Sequence, residues 1–186
     1  METGELIFIT GGVRSGKSSF AEVYATLCAQ LNGNLQYIAT STATDGEMAQ
    51  RIKSHQKQRE QSGEAWNTWE CPVDLHTIAP YFNQSDIVLL DCLTVLLSNE
   101  FFRDDESNQT DIYNKILTGI DAILKQVQTL IIVSNEVLNE PLSSESLTQS
   151  YASLLGRLHQ HIVQRSSKTY LVEAGIPILM KEQSVL

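Results

Sequence analysis

Residues 11–18 read Gly11-Gly12-Val13-Arg14-Ser15-Gly16-Lys17-Ser18 and match the spacing G-x-x-x-x-G-K-[ST] at every fixed position. The residue types suit holding the phosphates of a nucleotide. Gly11, Gly12 and Gly16 allow the backbone to curl until successive N–H groups point inward at phosphate oxygens. A helix beginning at the end of the loop adds about half a positive charge at the same spot. Lys17 brings a mobile cation to the β and γ phosphates, and the Ser18 hydroxyl is a ligand for Mg²⁺. The same glycines would also serve a plain strand-to-helix turn. The apolar run before them and the amphipathic stretch after them are the context that the phosphate reading requires.

A metal held this way calls for a second oxygen donor at the end of a buried strand. Asp91 stands there, directly after Ile87-Val88-Leu89-Leu90. It reads either as a carboxylate facing Mg²⁺ or as an aspartate that opens a loop. A charge after four apolar residues is costly unless it is paired or metal-linked, and the phosphate loop offers the metal.

A third feature lies in residues 46–61, a polar segment with a sparse apolar face, Met48 and Ile52, that reads as an exposed helix. Arg51, His55 and Arg59 recur there at i, i+4 and i+8 and so share one face. Two guanidiniums disfavour a protonated ring between them, so His55 keeps a lone pair at neutral pH. They also attract a polyphosphate. A neutral imidazole beside a bound nucleotide is a candidate nucleophile toward phosphorus. The spacing fits equally a solvated helix whose histidine does no chemistry. His159 and His161, at i and i+2, cannot face one site on a helix, and His76 stands alone, so no metal cluster is expected. Trp66 and Trp69 lack interleaved basic residues and read as packing residues.

The elements that must position these groups alternate along the chain. Leu6-Ile7-Phe8-Ile9-Thr10 is a short apolar run ending at glycines, a buried strand entering a tight turn. Phe20, Val23, Tyr24, Leu27 and Leu31 make one apolar stripe at helical spacing, stopped by Asn32-Gly33-Asn34. Further strands are expected at 37–40, 87–91, 130–133, 170–172 and 176–179. Ile112, Ile116, Leu117, Ile120, Ile123 and Leu124 predict a second amphipathic helix, and Leu147, Tyr151, Leu154, Leu155, Leu158 and Ile162 a long third one. Residues 98–111 are polar and acidic without a period and read as a loop. Strands apolar on both faces and separated by helices predict an α/β domain, a mostly parallel sheet covered on both sides. One domain over 1–186 is expected.

Composition limits the function classes. Thirteen Lys+Arg against 22 Asp+Glu give a net charge of −9, which repels nucleic acid and anionic lipid. No partner of either kind is expected. The longest apolar stretch, residues 87–97, is interrupted by Asp91 and too short to span a bilayer. Three cysteines without a C-x-x-C pair, and no secretory signal, point to a cytoplasmic home.

Several segments together resemble a known family. Ile9-Thr10 followed by residues 11–18, with an arginine before Ser-Gly-Lys-Ser, is similar to the N-terminal signature of the bifunctional adenosylcobinamide kinase / adenosylcobinamide-phosphate guanylyltransferases. Tyr37-Ile38-Ala39-Thr40 resembles their second strand. Glu47-Met48 with Arg51-Ile52, His55 and Arg59, then Trp66, Thr68 and Glu70, resembles their guanylylation segment. Val133-Ser134-Asn135-Glu136-Val137 resembles a further motif. The resemblance implies a RecA-like P-loop fold, assembled as a homotrimer. It implies phosphorylation of adenosylcobinamide by ATP or GTP, then transfer of GMP from GTP through a guanylyl-histidine, His55, to give adenosylcobinamide-GDP in cobalamin biosynthesis. The catalytic residues would be His55, Lys17 and Asp91, with Ser18 and Asp91 on Mg²⁺. The nucleotide would lie against residues 11–18, Ala39, Thr40, Ser41, Gln56, Lys57, Gln58, Arg59, Glu70 and Asp91. The chain departs from the pattern at Leu138-Asn139-Glu140, where glycines are usual, at Tyr151-Ala152-Ser153, and at His159, which replaces an asparagine. A P-loop kinase without the transferase step, or a nucleotide-dependent binding module with residues 98–111 as its switch, are the alternatives.

Overall fold

The run Leu6-Ile7-Phe8-Ile9 is apolar at every position because both faces of its strand are covered. β1 (Glu5–Gly11) lies inside a seven-stranded sheet with β2 (Asn34–Ala39), β3 (Trp66–Glu70), β4 (Asp86–Asp91), β5 (Thr129–Asn135), β6 (Lys168–Glu173) and β7 (Ile176–Glu182). The strand order is β3-β2-β4-β5-β1-β6-β7. The computed structural model of the chain describes residues 3–29, 33–41, 57, 59, 63–103, 108–136 and 146–183.

All pairings are parallel except β6 with β7, which is antiparallel. The exception follows from connection length. Ala174 and Gly175 both have positive φ, 49° and 80°, and a two-residue turn of this kind can only return the chain as a hairpin.

Alternation along the strands divides the core in two. Leu6, Phe8, Ile38, Val88, Leu90, Leu130 and Ile132 face one side, where α2 (Leu93–Phe101), α3 (Gln109–Leu124) and α4 (Ser146–Arg165) pack. Ile7, Ile9, Leu35, Ile87, Leu89, Ile131 and Val133 face the other, against Ala21 and Ala25 of α1 (Lys17–Ala29). All six residues of the expected second stripe are buried in α3. Gly119 lets that helix approach the 3₁₀ turn Leu75–Thr77, since a Cβ there would lie 2.9 Å from Leu75 Cβ.

Only part of the expected stripe of α1 packs, Phe20 and Tyr24 but not Val23 and Leu27. Val23 and Leu27 are 59% and 56% exposed, whereas Ala21 and Ala25 are fully buried. Small side chains let the helix sit close on the sheet, and Phe20 and Tyr24 instead gather around Tyr170 at the sheet's side. Two elements carry no expectation from sequence. β3 is an edge strand with mostly exposed side chains and no apolar run, and α2 follows β4 so closely that the two read as one apolar stretch. Residues 98–101 therefore end a helix. Residues 109–111 begin one, capped by Asn108, whose side-chain oxygen accepts from the Asp111 N–H at 3.0 Å. Residues 104–107 lie outside the described part. Of the exposed helix expected over 46–61, only Lys57 and Arg59 are described, both helical. Trp66 and Trp69 are packing residues, Trp69 stacked on Tyr81 and edge-on to Phe82, Trp66 edge-on to Tyr37. Among the described residues no helix is long and apolar enough to cross a membrane.

His159 is buried in α4 with its ring against the edge of Phe8. Burial pushes its pKa down from 6.5 to about 4. The unfolded ring takes up its proton near 6.5 and the folded one only near 4, so the unfolded state binds more protons in between. Stability from this group is therefore complete above that window and lost as pH falls through it. Urea unfolding at pH 7 and pH 5 should show His159→Gln losing about 2 kcal/mol less than the native chain over that interval. Equal losses in both proteins would contradict it.

Candidate active site

The loop between β1 and α1 has the backbone that the glycine spacing demands. Arg14 and Gly16 have positive φ, 60° and 90°, which turns consecutive amides toward one side. Gly11 has no room for a side chain. A Cβ there would lie 2.4 Å from Val172 O and 2.6 Å from Ser15 Oγ. The loop is wedged against the β6–β7 turn, where Gly175 N donates to Ser15 O at 2.8 Å, and it is tied to β5, where Glu136 N donates to Gly11 O at 2.9 Å. Lys17 is buried and its Nζ donates to Gly12 O at 3.0 Å, which folds the amine back over the loop. Ser15 Oγ is buried without a hydrogen-bond partner among the described residues. An orphaned hydroxyl in a ring of amides is a place for an anion's oxygen. Gly12, Val13 and Arg14 are exposed on the rim and Ser18 is half-buried at the first turn of α1.

Asp91 ends β4, two strands away from β1, with its Cα in register with Val133. Tyr37 OH donates to its Oδ2 at 3.1 Å. Burial and the adjacent Asp91 hold the Tyr37 phenol protonated by raising its pKa far above the usual tyrosine range, so it stays a donor. Arg59 lies over the Tyr37 ring, 3.6 Å from guanidinium carbon to centroid, and its Nη1 donates to Glu22 Oε1 at 3.2 Å. Burial raises the Glu22 pKa, while the Arg59 charge and hydrogen bond oppose that rise. Glu22, Tyr37, Arg59 and Asp91 thus form one connected cluster at the ends of β2 and β4 beside α1.

Thr40 closes the other flank. Its hydroxyl donates to Cys92 O at 2.9 Å and accepts from Cys92 N at 2.8 Å. Asn99 Nδ2 donates to Thr40 O and to Pro72 O, both at 2.9 Å, which ties the ends of β2 and β3 to α2. Ala39 and Ser41 flank Thr40 half-buried, and Glu70 ends β3 exposed, in register with Ala39. Lys57 is exposed. His55, Gln56 and Gln58 lie outside the described residues. Glu22, Tyr37 and Asn99 carried no signal as site residues in the sequence. Only their contacts across the strand ends reveal them.

The donor set fits Mg²⁺. Among the described residues no three His, Cys, Asp or Glu side chains cluster to hold a metal. A serine hydroxyl and one carboxylate suit an ion that keeps waters and takes its other ligands from phosphate oxygens.

The family model described as "Cobinamide kinase / cobinamide phosphate guanyltransferase" matches residues 7–180. The chain belongs to this family. The bifunctional adenosylcobalamin biosynthesis protein CobP of Pseudomonas aeruginosa is 33% identical over 174 residues, 93% of this chain and 95% of that protein. The bifunctional adenosylcobalamin biosynthesis protein CobU of Escherichia coli is 29% identical over 186 residues, 95% of this chain and 99% of that protein. Among solved structures, the flagellar accessory protein FlaH from Methanocaldococcus jannaschii superposes with a TM-score of 0.56 at 16% identity, over 98% of this chain and 80% of that one. That likeness is one of fold, a mostly parallel sheet flanked by helices. The family and the loop geometry agree on nucleotide binding.

The wedge at Gly11 gives a sharp contrast. Gly11→Ala drives a methyl into a backbone carbonyl and should cost about 2–3 kcal/mol. Gly12→Ala, whose Cβ meets nothing within 4 Å, should leave stability within about 0.5 kcal/mol. Urea titration of the two variants checks the order, and an equal cost would contradict the packing described.

Proposed function

We propose that the chain phosphorylates the aminopropanol hydroxyl of adenosylcobinamide with ATP or GTP, then carries GMP from GTP to the resulting phosphate, giving adenosylcobinamide-GDP. The observation that supports it most is the buried Lys17 folded over an amide-lined loop in a chain whose family match spans residues 7–180.

In the kinase step the substrate hydroxyl attacks the γ phosphorus, its proton passes to solvent, and the nucleoside diphosphate leaves. Lys17 and the loop amides stabilise the charge that gathers on the transferred group. Ser18 and Asp91 would hold Mg²⁺, which would neutralise part of the phosphate charge. The Tyr37 hydrogen bond to Oδ2 orients the Asp91 carboxylate for that task.

In the transferase step a neutral His55 nitrogen forms a bond to the α phosphorus and pyrophosphate departs. The phosphate of the corrinoid then attacks the same phosphorus, the P–N bond breaks, and the imidazole is freed. The placement of Arg59 supports His55 in this role. Arg59 is anchored on Tyr37 and Glu22 beside Asp91, and four residues of chain span at most about 14 Å. An anchor so close in sequence supports reading the guanylylation segment as part of the nucleotide site. Arg14, Arg51 or Arg59 would neutralise the departing pyrophosphate. Ala39, Thr40, Ser41, Gln56, Lys57, Gln58 and Glu70 would surround the rest of the nucleotide. The protein is read as one domain, a cytoplasmic homotrimer, with no nucleic-acid partner.

The test is incubation with α-labelled GTP and Mg²⁺, followed by denaturing separation at alkaline pH. Label retained by the native chain, released by acid and absent from His55→Ala is the expected result. No retained label would remove the transferase half and leave a kinase.

A further inference from the structure

Behind the nucleotide loop runs a buried chain of polar groups that takes no part in the chemistry above. His159 Nε2 lies 2.7 Å from Ser134 Oγ, and Ser134 Oγ lies 3.0 Å from Thr94 Oγ1. Thr94 Oγ1 in turn accepts from Asn135 N at 2.8 Å. A second side chain of α4 reaches the same place, with Tyr151 OH donating to Thr94 O at 2.8 Å. Ser134 is fully buried and Thr94 and His159 nearly so.

We propose that His159 is a positioning residue for the nucleotide site, acting through Ser134 and Thr94 to set the end of β5 and the start of α2 against the phosphate loop. This rests on the reading that residues 11–18 bind the nucleotide.

The location supports a positioning role rather than general packing. β5 lies between β1, which opens the loop, and β4, which ends in Asp91. Asn135 is in register with Gly11. The next residue, Glu136, donates its N–H to Gly11 O at 2.9 Å and accepts from Thr10 Oγ1 at 3.4 Å. Thr94 stands three residues after Asp91, in the first turn of α2. One hydroxyl therefore fixes two things at once, the height of the β5 end beside Gly11 and the start of the helix that follows Asp91.

Hydrogen accounting shows why a histidine completes the chain. The Asn135 N–H occupies an acceptor site of Thr94 Oγ1, the Thr94 hydroxyl hydrogen goes to Ser134 Oγ, and the Ser134 hydrogen goes to an unprotonated Nε2. Every hydrogen is then used in one direction. A donor in place of Nε2 would reverse the chain and turn the Thr94 hydrogen to the weaker Cys92 sulfur. Burial favours the neutral ring that this order needs. A fully satisfied buried network is rigid, and a broken one is not.

Four variants test this: His159→Leu, His159→Gln, Ser134→Ala and, as a control in the apolar core of the same helix, Leu155→Ala. Each is measured well below its unfolding temperature. One readout is hydrogen–deuterium exchange of the peptide spanning residues 130–136, which needs no nucleotide. The other is the Kd for GTP. His159→Leu should speed exchange of that peptide and weaken GTP about tenfold, the worth of roughly one good hydrogen bond. His159→Gln, which restores an acceptor near the Nε2 position, should recover most of both. Leu155→Ala should leave the Kd for GTP unchanged, and the double variant of Ser134→Ala with His159→Leu should be no worse than His159→Leu alone. Native exchange in His159→Leu, or the same GTP loss in Leu155→Ala, would overturn the positioning role. A native chain that binds no GTP would instead overturn the nucleotide reading, while the exchange comparison still decides how the strand end is held.

Discussion

A triphosphate carries its charge on a handful of oxygens, and a protein with a net charge of −9 must meet that charge locally. The loop after β1 does so with backbone amides, and amides can converge only if the chain adopts conformations that most residues avoid. Here Arg14 and Gly16 take positive φ, and Gly11 is enclosed by Val172 O and Ser15 Oγ. Such a loop keeps its shape only when its surroundings hold it. Three elements do: β5 through Glu136, the β6–β7 turn through Gly175, and α1 through Lys17. The hairpin at the end of the chain thus belongs to the phosphate site, although it lies last in sequence.

The second organising contact is between the acid that ends β4 and the segment that carries the proposed nucleophile. Asp91 accepts from Tyr37, the Tyr37 ring supports the Arg59 guanidinium, and Arg59 pairs with Glu22. Burying an ion pair stabilises little by itself, but losing one partner leaves an uncompensated charge. The pair is best understood as a device of specificity. It admits one placement of residue 59, and that placement lies at the mouth of the nucleotide site.

How much of this is legible in sequence depends on whether the signal is local. The loop was readable because its residue types follow from the conformation each must adopt. The place of Asp91 at the end of β4 was readable because a charge after four apolar residues closes a buried run. α3 was readable because its stripe is wide and buried throughout. The face of α1 was not, because close packing on a sheet favours alanine, and hydrophobic periodicity weights Val23 and Leu27 above Ala21 and Ala25. β3 was not, because an edge strand whose exposed faces are polar has no apolar run. Glu22, Tyr37, Asn99 and the chain from Thr94 to His159 were not, because each is defined by partners far away in sequence. A histidine in an amphipathic helix gives no hint that it ends a hydrogen-bonded chain reaching the end of β5.

The most direct test of the central claim is calorimetric titration of GTP in the presence of Mg²⁺ into the native chain and into Lys17→Ala. The expected result is saturable binding at one site per chain, weakened at least about 100-fold by the substitution, as befits loss of a charge-assisted contact to phosphate. Equal affinity in the two proteins would contradict the claim that this loop and its lysine hold the nucleotide.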